Sequence, residues 1–223
     1  VKIQNIQGLK FPDEYFIKFF YKFGFHNKTE KLTFLELGSS NGCNLTLPYQ
    51  YNFSVLGVDF DPILIEYANH NFKLYRKSTG YTFIAQDMRA FCKEQNNIFS
   101  DTLILANSLY YIPKNDFIEL LEDIKTNHLT QAKCPFFVRF REINDYRNHK
   151  GKELSKNCFI LENGVTGEDG TLCVFYETDE MVSLLSSKLG ISNYQIMKIQ
   201  YDNIQNNTVV NNSDVVIWGY INI

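Results

Sequence analysis

The sequence predicts a three-layer α/β protein, a parallel sheet with helices on both faces that ends in an antiparallel hairpin. Three observations carry this. Short apolar runs alternate with capped, helix-like stretches from Leu32 to about Arg141, the pattern of a parallel sheet buried on both sides. A small-residue turn, Gly38-Ser39-Ser40-Asn41-Gly42, follows the first apolar run directly. The last two strand-like runs have no helix between them, so they should pair antiparallel.

The elements follow in order. Pro12, Asp13 and Glu14 open a helix over residues 11–20, with proline near the first position and acids in the first turn. Strands are expected at 33–37, 54–59, 81–86, 101–106 and 135–141, with helices at 44–51, 62–75, 88–94 and 114–127. After the fifth strand comes an irregular segment over 142–177, bearing Gly151, Gly164, Gly167 and Gly170. Its place is the carboxyl edge, where open α/β sheets bind ligands. Within it, Thr166-Gly167-Glu168-Asp169-Gly170 reads either as a turn closing over substrate or as a hairpin. A helix at 179–189 precedes the closing strands, 194–201 and 215–221, which are joined by a polar stretch over 203–214.

At 223 residues the chain fits one domain. A net charge of -3 gives no general attraction to nucleic acid or anionic membrane. The five cysteines are scattered and form no CxxC pair, which argues against a disulfide framework or a zinc site and for a reducing compartment. No apolar run has the length of a membrane span or a signal segment. The expectation is a cytoplasmic protein with no membrane or nucleic-acid partner, no metal, and a monomeric or homodimeric state.

Glycines at the end of a first strand permit a sharp turn and close approach of a ligand. Asp59 ends the second strand about 20 residues further on, the interval at which an acid grips ribose hydroxyls. A dinucleotide fingerprint would need glycine where Ser40 and Cys43 stand, and a P-loop would need Gly-Lys-Ser/Thr. Asp59-Phe60-Asp61 is formally an Asp-x-Asp pair of the kind some glycosyltransferases use, although Asp61 before Pro62 suits a helix cap better.

These stretches carry a resemblance. Leu35-Glu36-Leu37-Gly38-Ser39-Ser40-Asn41-Gly42, Val58-Asp59-Phe60-Asp61-Pro62, Ala85-Gln86-Asp87-Met88 and Ala106-Asn107-Ser108-Leu109-Tyr110-Tyr111-Ile112-Pro113 resemble, in order, four motifs of the class I S-adenosylmethionine-dependent methyltransferases. The likeness spans the chain, with Ser40 in place of the first motif's middle glycine. It implies the Rossmann-like, seven-stranded fold of that family, S-adenosylmethionine as cofactor and S-adenosylhomocysteine as product. Asp59 is implied for the ribose, Asp87 for the adenine amino group and Met88 against the ring. Tyr15, Glu36, Gly38, Ser39, Gly42, Asn44, Phe60 and Asn107 complete the implied cofactor contacts. Residues 1–31 would form a helical lid and 142–177 an acceptor-binding insertion.

For the acceptor, the run from Val138 to Lys152 holds five cations (Arg139, Arg141, Arg147, Lys150, Lys152) against Glu142 and Asp145. Arginines bind carboxylate or phosphate through a planar fork. Tyr110, Arg139, Arg141 and Arg147 are the expected acceptor contacts, and Tyr111 and His149 the candidate catalytic groups. His149 is the one histidine in the acceptor segment, where neutral imidazole suits a base. The expected reaction is methyl transfer to an oxygen of a small anionic or phosphorylated acceptor, such as a sugar, nucleotide-sugar or phosphoryl precursor of a surface polysaccharide. The alternatives are a non-catalytic binding domain of the same fold and, less favoured, a glycosyltransferase.

Overall fold

In the computed structural model, which describes residues 1–75 and 79–223, strands β1 (Thr33–Leu37), β2 (Ser54–Asp59), β3 (Tyr81–Ala85), β4 (Thr102–Ala106) and β5 (Pro135–Arg141) run parallel. Side-chain alternation along β1 sets the layers: Phe34 enters one core, Leu35 and Leu37 the other. The Phe34 core is closed by helices α1 (Glu14–Lys22), α2 (Thr46–Gln50) and α3 (Pro62–Lys73). The opposite core is closed by α4 (Met88–Glu94), α5 (Lys114–Thr126) and α6 (Thr178–Leu189).

The 142–177 segment is more ordered than its composition predicts. It contains a second, three-stranded antiparallel sheet of β6 (Gly151–Ser155), β7 (Cys158–Leu161) and β8 (Leu172–Val174). Strand β8 lies against the 3-10 turn Leu109–Tyr111. The closing strands β9 (Ser192–Gln205) and β10 (Thr208–Tyr220) are also longer than expected. The polar stretch assigned to a connection is strand, and the turn is only Asn206-Asn207, both at positive φ (48° and 62°). Left-handed backbone at both central residues matches the twist of a tight hairpin, and asparagine tolerates it. The sheet order is β3-β2-β1-β4-β5-β10-β9.

Helix α1 begins later than expected. Asp13 is its cap, accepting from the N–H groups of Tyr15 and Phe16 at 2.8 and 3.1 Å, and Pro12 lies just outside. Phe16, Phe19 and Phe20 are fully buried against Phe137, Trp218 and Phe34. Helix α1 is thus a layer of the core, and burying three phenylalanines stabilises it by roughly 1.5–3 kcal/mol each. All five cysteines are free and buried. Among the described residues no helix is long and apolar enough to cross a membrane.

Candidate active site at the carboxyl edge of the sheet

Strands β1 and β2 are neighbours in register, with Leu37 opposite Val58, so their tips present the glycine turn and Asp59 together. Gly38 turns at φ +78°, and a Cβ there would lie 2.2 Å from that of Ser108. Only glycine fits. Ser40 takes φ +50° despite its side chain, and its N–H donates to Asp59 Oδ2 at 2.7 Å. That charge-assisted bond offsets the cost of left-handed backbone, which accounts for serine in the middle-glycine position. Asp59 Oδ1 accepts from the Asp61 N–H at 3.0 Å. Each carboxylate oxygen keeps acceptor capacity for one more donor. Asp61 itself caps α3, accepting from the Ile63 N–H at 2.8 Å, which takes one carboxylate of the Asp-x-Asp pair for structure.

A cavity of about 430 Å³ opens beside Asp59, its wall including Gly38, Ser40, Phe60, Met88, Asn107 and Tyr111. This is the size of a small-ligand site, and its lining is mainly apolar with a few fixed polar groups. Asn107 is held at φ +58°, with its N–H on Arg139 O at 3.2 Å and its side chain 3.4 Å from Asp13 Oδ2. Ser108 also lines the cavity and donates to Leu37 O at 2.7 Å. Sequence reasoning did not single out Ser108, Leu64, Arg89 or Ile112, which share this wall. Ser108 and Ile112 lie inside a motif already recognised, whereas Leu64 and Arg89 carry no signal of their own.

Asp87 lines the cavity but is already engaged. It caps α4 through the Arg89 N–H at 2.8 Å, and the Arg89 guanidinium meets both carboxylate oxygens, with Nε at 2.9 and 3.2 Å. That side-chain hydrogen bonding holds the Asp87 carboxyl below its usual range. Arg89 is fixed in turn by Asp116 of α5.

Four residues expected at the cofactor are not among those that line this cavity. Gly42 is needed for packing, because a Cβ there would meet the Phe83 ring at 2.8 Å. Ser39 is buried. Glu36 is 1% exposed, accepts from Asn44 Nδ2 at 2.7 Å, and has no partner for Oε2 among the described residues. Burial pushes its carboxyl up to about 8, against the smaller effect of the Asn44 bond, so it is a neutral acid at neutral pH. Asn44 Oδ1 then accepts from the Asp13 N–H at 2.8 Å, tying the first strand to the α1 cap. Tyr15 is not in the wall either; its ring lies 5.5 Å from the Arg139 guanidinium.

The acceptor end differs most from expectation. The net positive patch is neutralised internally. Arg139 pairs with Asp13 and Asp214, both at 2.5 Å. Arg141 pairs with Glu168 at 2.6 Å and lies 4.5 Å from the Tyr110 ring. Arg147 pairs with Asp145 at 2.9 Å and with Glu168. Free arginine forks awaiting an anion are therefore not what the chain presents. His149 is exposed, outside the cavity wall, with its ring edge-on to Phe159 at 5.3 Å. A base must reach the acceptor proton, and His149 stands apart from the wall that would present it. Tyr111 does line the cavity, and its hydroxyl donates to Glu168 Oε1 at 3.2 Å. Burial raises its phenol above the ordinary value, making it a hydrogen-bond donor and not a base.

No family model and no curated protein matches the chain in sequence. Solved structures do match in shape. An S-adenosylmethionine-dependent methyltransferase from Methanosarcina mazei superposes with a TM-score of 0.67 at 14% identity, covering 89% of this chain and 97% of that one. The N-methyltransferase NodS from Bradyrhizobium japonicum, in complex with S-adenosyl-L-homocysteine, gives 0.57 at 12% identity, covering 93% and 84%. Magnesium protoporphyrin IX methyltransferase from Synechocystis, with bound S-adenosylmethionine, gives 0.53 at 11% identity, covering 91% and 79%. At these identities the likeness establishes the fold. The chain has the seven-stranded class I methyltransferase fold.

Proposed function

We propose that this chain binds S-adenosylmethionine in the edge cavity and transfers its methyl group to a small acceptor held beneath the three-stranded insertion. One observation carries the reading: a buried carboxylate, Asp59, with spare acceptor capacity on both oxygens, beside a glycine turn and a cavity of about 430 Å³. The methyltransferases that share the fold support it. The bound cofactor would supply an electrophilic methyl on a sulfonium, whose departure needs no proton.

The residues divide the remaining work. Asp59 accepts the ribose hydroxyls. Phe60, 77% exposed at the cavity mouth, and Met88 flank the base. Gly38 and Asn107 border the methionine end, and Tyr111 walls the side toward the insertion. Holding the reacting atoms in line and excluding water accounts for about 7–11 kcal/mol of barrier in well-oriented systems. Of the side chains lining the cavity that could serve as a base, Asp59 is assigned to the ribose hydroxyls, Asp87 is held by Arg89, and Tyr111 keeps its proton. We therefore propose an acceptor oxygen that is ionised before it arrives. Sugar acids and sugar phosphates from surface-polysaccharide assembly are the acceptors to assay with labelled donor.

Calorimetry with S-adenosylhomocysteine tests the cofactor assignment. Saturable one-to-one binding is expected, and a folded protein that takes up none would overturn the assignment.

A further inference from the structure

Glu168 occupies a position built for a carboxylate that need not be its own. Three donors from three parts of the chain converge on it: Arg141 Nη2 at the end of β5, the Tyr111 hydroxyl after β4, and Arg147 Nε in the insertion. Arg141 is 8% exposed and otherwise touches the Tyr110 ring at 4.5 Å and Cys173 Sγ at 3.5 Å. Arg147 keeps Asp145 whatever Glu168 does, at 2.9 and 3.1 Å. Arg141 has no second carboxylate among the described residues. Moving Glu168 away leaves a buried guanidinium that demands another anion.

The loop carrying Glu168 is built to let go. Gly164, Gly167 and Gly170 flank it at φ +64°, +73° and +82°, each with open space beyond its Cα. Its side-chain hydrogen bonds close on themselves, Asp169 accepting from the N–H groups of Asn163 and Gly164 and Asn163 Oδ1 from those of Val165 and Thr166, while backbone bonds such as Gly170 N–H to Leu161 O hold its base. Withdrawing the Glu168 side chain breaks none of these. Tyr111 both donates to Glu168 and lines the cavity, so this seat adjoins the place where the methyl would be presented.

We propose that Glu168 is an internal stand-in for the acceptor, and that the acceptor carries a carboxylate which replaces Glu168 on Arg141 and Tyr111. The proposal rests on the cavity being the donor site, as argued above. It also explains how a charge-balanced end accepts an anion: by exchange of one carboxylate for another. Burial raises the Glu168 carboxyl, but the charges and hydrogen bonds of Arg141 and Arg147 outweigh burial and hold it below its usual range. It stays ionised and is a poor base, in keeping with an anchoring role.

The test is benzoate and inorganic phosphate titrated calorimetrically into the wild-type chain, Glu168→Ala and Glu168→Ala/Arg141→Met. Removing the internal competitor should tighten benzoate binding at least about tenfold in Glu168→Ala, since the open seat no longer has to be populated first. The double variant should lose that gain. If Glu168→Ala is too unstable to titrate, Glu168→Gln keeps the shape without the charge and should show the same direction. Formate, which refills the lost carboxylate, should raise the melting temperature of Glu168→Ala and not that of the wild type. Equal benzoate affinity in wild type and Glu168→Ala, or a gain that survives Arg141→Met, overturns the proposal, as does a gain for phosphate alone. S-adenosylhomocysteine titrated into the same preparations reads the cofactor assignment separately. A benzoate response without cofactor binding would sink that assignment while leaving the carboxylate seat standing.

Discussion

The two ends of the sheet's carboxyl edge are built on opposite plans. At the tips of β1 and β2 the chain exposes unspent hydrogen-bonding capacity, because Asp59 receives one backbone donor per oxygen and no cation. At the tip of β5 and in the insertion every arginine is matched, Arg139 by two aspartates and Arg141 and Arg147 by Glu168 and Asp145. The first end is ready for a ligand as it stands. The second must exchange a partner before it can take one. A shared donor favours a preformed pocket, whereas acceptor selectivity is obtained by making entry conditional on displacement.

The largest effect should come from the open end. Asp59→Ala removes two charge-assisted hydrogen bonds of about 1.5–3 kcal/mol each, so affinity for S-adenosylhomocysteine should fall by roughly 10²–10⁴-fold in calorimetry. Full affinity in that variant would remove the ribose assignment. At the closed end the comparison predicts loss of stability in place of loss of acceptor affinity. Arg139→Met leaves Asp13 and Asp214 facing each other in a space only 10–16% exposed, and denaturant unfolding should show a cost of about 3 kcal/mol. A stable variant with an impaired acceptor KM would instead make Arg139 a ligand contact.

Between the two ends, Glu36 yields a pH signature. Its folded carboxyl titrates near 8 and its unfolded one near 4.5. Across that window the native state holds a proton that the unfolded state has lost. Stability from this group therefore falls as pH rises from 4.5 to 8, with a steepest slope of about 1.4 kcal/mol per pH unit. Glu36→Gln should flatten the slope, and unfolding curves at the two ends of the window check it. The smallest effect is expected of His149→Ala, within about 0.5 kcal/mol of wild-type stability and with kcat unchanged; a substantial fall in kcat would restore the residue to the chemistry.

Much of the scaffold was legible because its signals are local. Strands β1, β2 and β5 begin and end at the predicted residues, and α4 does so too, bounded by its Asp87 cap. The small sheet was not, since Gly151–Ser155 is exposed throughout and has no apolar alternation to betray it. The hairpin tails escaped for a related reason: their asparagines and glutamines look like a linker, although Asn206-Asn207 is a tight-turn signal. The charge balance was hidden by distance along the chain. Asp13 and Asp214, the partners of Arg139, lie 126 and 75 residues away, so a window around the arginines records only their own excess of charge.

The buried thiols have a practical consequence. Cys43 sits just past the glycine turn, and burial raises its pKa to about 12; Cys92, Cys134, Cys158 and Cys173 all belong to the core closed by α4, α5 and α6. None is a reactive thiolate while the layers stay shut. Alkylation rates of the native protein therefore time local openings, Cys43 reporting on the segment just past the glycine turn and the other four on the core closed by α4, α5 and α6, and a ligand that clamps the glycine turn should slow the first.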